Sequence, residues 1–146
     1  MAAVLLDSLD VSAMPADDAA AVTHGRALLL LRSGDAAKAR EVLDDRPARI
    51  EDEGLAMRLD LLEAAAQVEL GEGDAALATA NDIARRARGD AGLLLEARVL
   101  RASVLDAQGS KAEAAEILRE LGADVRRMIA VVGLPRVRTL VSGVAS

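Results

Sequence analysis

His24 is the single histidine of the chain, and no cysteine accompanies it. It is therefore the one side chain whose ordinary pKa lies near neutrality. A zinc site needs several His or Cys ligands, so two-His metal sites, thiolate chemistry and disulfides are all excluded. Ser33 and Asp35 follow His24 and complete a Ser-His-Asp set on paper, but no nucleophile turn or oxyanion loop accompanies them. The segment Gly71-Glu72-Gly73-Asp74-Ala75-Ala76 matches a dinucleotide fingerprint formally, yet it follows a helical pattern where the fingerprint needs a strand. It reads as an inter-helix turn. The acidic groups Asp17-Asp18, Asp44-Asp45 and Glu51-Asp52-Glu53 lack calcium-loop spacing and read as helix ends and turns. Basic residues gather at Arg85, Arg86 and Arg88 and again at Arg126, Arg127, Arg136 and Arg138. With no Phe, Tyr or Trp there is no ring to stack a base or sugar, and Arg85, Arg86 and Arg88 suit a helix C-terminus. These residues predict a protein that is not an enzyme and that uses no metal or cofactor.

Composition says what must position such residues. The 146 residues suffice for one domain, which buries roughly two-thirds of the unfolded surface. There are 32 Ala and 23 Leu against 3 Pro, so the core is aliphatic, closely spaced and helical. A formal charge of −6 disfavours DNA or anionic lipid as direct partners. The longest apolar run, Met128 to Leu134, is far short of the ~20 residues that span a bilayer. The opening residues lack the basic start of a secretory signal, since the first Lys or Arg is Arg26. A soluble, cytoplasmic protein is expected.

A repeat carries most of the information. Gly34, Gly71 and Gly109 stand 37 and 38 residues apart. Ala27, Ala64 and Ala102 precede them in one register, and Ala39, Ala76 and Ala114 follow in another, with Leu43, Ala80 and Leu118 one turn later. Each unit reads as two antiparallel helices joined at the Gly, with Gly as the left-handed C-cap and Asp35 as a cap of the next helix. Alanine columns belong where helix axes approach closely. A lone hairpin cannot bury its apolar face, so neighbours must stack. The expected fold class is all-α: an antiparallel helical-hairpin solenoid of about seven helices forming one domain over 1–146. Its parts are a truncated or capping helix at 1–13, repeats at 14–47, 48–88 and 89–122, and a C-terminal cap at 123–146.

The pattern of small residue, Gly turn and small residue resembles the tetratricopeptide repeat. Here the period is longer than the usual ~34 residues, and aliphatic residues fill the aromatic positions. Residues 26–43 and 123–141 are similar to the helical-repeat region of LuxR/MalT-type ATP-dependent transcription regulators. The stretch contains no Gly-Lys-Ser/Thr for ATP.

The resemblance implies a protein-interaction module: the sensor or scaffold segment of a transcription regulator, or a stand-alone adaptor. The alternative is a regulatory domain sensing a small ligand. Its partner is a protein or peptide bound on the inner face, made by the first helix of each repeat. In that register the candidate partner-binding residues are His24, Leu28 and Arg32, then Arg58 and Leu61, then Glu96, Val99 and Ser103. Open solenoid ends offer a route to self-association.

Overall fold

A computed structural model describes residues 13–122 of the chain. Among them there are six helices and no strand: α1 (Ala16–Arg32), α2 (Ala36–Asp44), α3 (Glu53–Glu69), α4 (Gly73–Arg86), α5 (Ala91–Ala107) and α6 (Lys111–Leu121). The helices expected before Ala13 and over 123–146 lie outside the described residues.

Local chemistry explains where these helices start. Asp35, Asp52 and Asp90 are the N-caps of α2, α3 and α5, and each carboxylate accepts from the N–H three residues on, in Lys38, Leu55 and Leu93, at 3.1 Å. One otherwise orphaned helix donor is satisfied each time. In α1, Asp17 and Asp18 occupy the first turn after Pro15, where the helix dipole favours negative charge.

The ends of α1, α3 and α5 share one hydrogen-bond pattern. Asp35 N–H donates to the Leu30 carbonyl (2.9 Å), Glu72 N–H to Gln67 (2.8 Å) and Ser110 N–H to Leu105 (2.8 Å). A second bond runs from each turn glycine, from Gly34 to Leu31, Gly71 to Val68 and Gly109 to Asp106. Both bonds define a Schellman closure, which needs left-handed backbone at its central residue. The three glycines supply it with φ of +87°, +81° and +89°.

Packing follows chain order. Helices pair as α1–α2, α3–α4 and α5–α6, α1 lies against α3, α3 against α5, and α2 and α4 pack on the following helices α3 and α5. The inner helices therefore meet neighbours on several sides. In α3, Met57, Leu59, Leu61, Leu62, Ala64, Ala65, Ala66 and Val68 are all buried, a far wider arc than one stripe. By contrast α2, α4 and α6 each bury one narrow stripe: Ala36, Ala39 and Leu43; Ala76, Ala80 and Ile83; Ala114, Leu118 and Leu121. Both alanine columns are wholly inside, with Ala27, Ala64, Ala102, Ala39, Ala76 and Ala114 each at 0% exposure. A methyl group is the side chain that those close contacts admit.

Candidate functional site

Placing α1 and α5 on either side of α3 brings two half-buried polar residues into electrostatic reach of a third. They are His24 on α1, Arg58 on α3 and Glu96 on α5. Counted back from the turn glycines, Arg58 and Glu96 hold equivalent places, and His24 sits one helical turn further along its own helix. Burial pushes the imidazole of His24 below its ordinary value, and the positive charge of Arg58 pushes the same way. Burial raises Glu96, Arg58 opposes that shift, and Asp90 at the start of α5 adds to it. Arg58 is thus the shared neighbour. Its guanidinium folds back over α3, and a Cβ placed on Gly54 would lie 3.2 Å from Arg58 Nη1 and 3.3 Å from Asp52 Oδ1. Among the described residues no carboxylate forms a salt bridge with Arg58. A half-shielded cation in this setting can receive a carboxylate from outside, through two parallel hydrogen bonds.

The eight residues expected to face a partner divide into two groups. His24, Leu28, Arg32, Arg58 and Glu96 keep partial exposure, with the Nε of Arg32 shielded from solvent. Leu61, Val99 and Ser103 are buried, at 3%, 0% and 2% exposure. The expectation that these three line an open face is corrected by the packing. They share the register of His24 and Leu28, but among the described residues α3 packs against α1, α2, α4 and α5, and α5 against α3, α4 and α6, while α1 packs against α2 and α3, so the same positions become core.

The other sequence motifs resolve into local structure. Ser33 Oγ donates to the Leu30 carbonyl at 2.9 Å, and Asp35 is occupied by the Lys38 N–H. Ser33 caps the C-terminal end of α1, nine residues and about 14 Å along the axis from His24, and Asp35 lies beyond it as the N-cap of α2, so they do not assemble a triad. Gly71 to Ala76 forms the α3–α4 turn and the first turn of α4. Beside it a cleft of about 640 Å³ is lined by Val68, Glu72, Asp74, Ala107 and Gln108 among others. Of its carboxylates, Glu72 is engaged by Arg40 and Asp74 by Gln108 Nε2 at 3.0 Å. No group of three or more potential metal ligands occurs among the described residues.

Sequence reasoning missed the ion pairs, most of which join different elements. Arg46 pairs with Asp60 and Glu63, Arg86 with Asp82 and Asp60, and Arg40 with Glu72. Of these, the i,i+4 spacing of Asp82 and Arg86 is a legible signal; the others join residues that only tertiary packing brings together. Comparison with protein-family models, curated proteins and solved structures finds no match to this chain. No helix among the described residues is long and apolar enough to cross a membrane.

Proposed function

We propose that this protein is a non-catalytic protein-interaction module, in which three helical hairpins stack as a tetratricopeptide-like solenoid and the first helices form the binding face. It serves as the sensor or scaffold segment of a cytoplasmic transcription regulator, or as a stand-alone adaptor. The observation that carries the reading is the row of His24, Arg58 and Glu96 on three successive, adjacent helices. Half-buried charged groups without a described salt bridge oppose folding, because desolvation disfavours their charged forms. A partner that supplies the complementary charge offsets that cost. Arg58 suits an acidic side chain or a C-terminal carboxylate, and Arg32 on the neighbouring α1 offers a second positive charge. The partly buried Leu28 adds apolar contact between them.

Binding of a partner should weaken in an Arg32→Ala, Arg58→Ala double variant whose helicity is intact. Truncating groups that hold a carboxylate typically costs 2–5 kcal/mol, so affinity should fall by about thirtyfold or more. Equal affinity of wild type and variant would place the interaction surface elsewhere.

A further inference from the structure

The joint between the α1–α2 hairpin and the rest of the chain is built differently from the next joint. Its linker is long, eight residues from Asp45 to Asp52, whereas four residues from Ala87 to Asp90 connect α4 to α5. The helix that leads into it, α2, has nine residues and buries three of them, while α4 has 14 and buries Ala76, Ala80 and Ile83 with Ala87 just beyond. Ionic contacts take over where apolar contact is short. Arg46, at the start of the linker, bonds Asp60 Oδ1 at 2.9 Å and also pairs with Glu63, both on α3. Side-chain exposure is 23% for Arg46, 30% for Asp60 and 24% for Glu63, so water screens this set less than a surface pair. Arg40 on α2 reaches across to Glu72 in the α3–α4 turn. At the linker's other end, Asp17 on α1 accepts from the N–H groups of Glu51 and Asp52. The next joint has a bond of another kind, from the uncharged amide of Gln108 to Asp74.

We propose that Arg46, Asp60, Glu63, Arg40 and Glu72 form an ionic latch, and that the α1–α2 hairpin swings away from α3 when the latch is screened or broken. The body from α3 to α6 stays folded as it does so. Arg46 is the centre of the latch. Without it, Glu63 loses its salt-bridge partner among the described residues and Asp60 keeps only Arg86 of α4, at 3.4 Å, so nothing ionic ties the pair to the linker.

Amide hydrogen exchange of the whole chain tests this at about 0.05 M and about 1 M sodium chloride, since the higher concentration shortens the screening length to roughly 3 Å. Exchange across α1 and α2 should accelerate about tenfold in high salt, with α5 and α6 unchanged. Arg46→Gln should show the faster α1–α2 exchange already in low salt and lose most of the salt response. Glu63→Gln leaves the Arg46–Asp60 bond in place and should give a smaller acceleration in the same hairpin. Arg98→Gln breaks the pair with Glu120 inside the last hairpin and should leave α1–α2 exchange as in wild type. The latch is refuted by acceleration spread evenly over all six helices, by an α1–α2 hairpin indifferent to salt, or by wild-type exchange in both Arg46→Gln and Glu63→Gln.

Discussion

Asp17 in the first turn of α1 caps the same segment that Asp52 caps from within. Its Oδ2 accepts from Asp52 N–H at 3.2 Å and its Oδ1 from Glu51 N–H at 2.8 Å, while the Asp52 carboxylate accepts from Leu55 N–H. The start of α3 is therefore tied to a residue 35 positions earlier. Asp17→Ala removes a carboxylate that serves two backbone donors and should cost about 1 kcal/mol in a urea denaturation series. Asp17→Asn keeps one acceptor oxygen and should lose less. Equal losses for the two would mean that the bonds contribute nothing beyond the side chain's volume.

The alanine columns give a packing prediction. Ala64 on α3 and Ala102 on α5 are at 0% exposure with helices on several sides, so no direction is open for a longer side chain. Ala64→Leu and Ala102→Leu should each destabilise by about 1–3 kcal/mol, because added methylenes push the helix axes apart. A control substitution at exposed Ala112 or Ala78 should be within about 0.5 kcal/mol of wild type. Unchanged denaturation midpoints for both buried variants would overturn the close approach.

Two kinds of glycine separate conformational cost from steric cost. A Cβ on Gly34, Gly71 or Gly109 would meet nothing within 4 Å, yet the backbone there is left-handed. Alanine at any of them should cost roughly 1–2 kcal/mol, from backbone strain alone. Gly73 opens α4, and a Cβ there would lie 2.8 Å from Nε2 of Gln108, the far end of a flexible side chain that can move. Gly73→Ala should be neutral or slightly stabilising, since Ala is the better helix former. Thermal melts of the four variants decide it: a loss at Gly73 equal to that at Gly34 would show that the Gln108–Asp74 bond matters more than helix propensity.

The hairpin turns were legible because their cause is local. A glycine two residues past the end of a helical run, with a polar residue (Asp35, Glu72 or Ser110) next, specifies a Schellman closure before any tertiary contact forms. The same holds for Asp35, whose cap reaches three residues along the chain. Leu61, Val99 and Ser103 were misplaced because periodicity identifies a helix face without saying how many neighbours cover it. α1, α3 and α5 carry similar patterns, yet among the described residues α3 and α5 each pack against more helices than α1 does. The Arg46 pairs were invisible for a related reason: surface arginines look alike in sequence until packing chooses their carboxylates. Arg58 stood out by its register, but its place between His24 and Glu96 comes only from the packing of α1, α3 and α5.

His24 and Glu96 make opposite contributions to stability as pH changes. The folded chain refuses a proton at His24 that the unfolded chain accepts between the lowered value and the ordinary 6.5, so stability falls as pH drops through that window. Glu96 behaves inversely. Between the ordinary 4.5 and its raised value, the folded chain holds a proton that the unfolded chain releases, so stability rises as pH drops. Single variants separate the two: Glu96→Gln should lose stability more steeply than wild type on acidification below 6.5, and His24→Gln less steeply. Arg58 links the residues, so Arg58→Met should move His24 back toward its ordinary value without reaching it, because burial is the larger cause. The same substitution should push Glu96 further up, since it removes the opposing charge. With one histidine in the chain, its ring proton resonances give an unambiguous titration. A His24 that titrates at its ordinary value in wild type, or that does not respond to Arg58→Met, would separate it from Arg58 and dissolve the row on which the binding face rests.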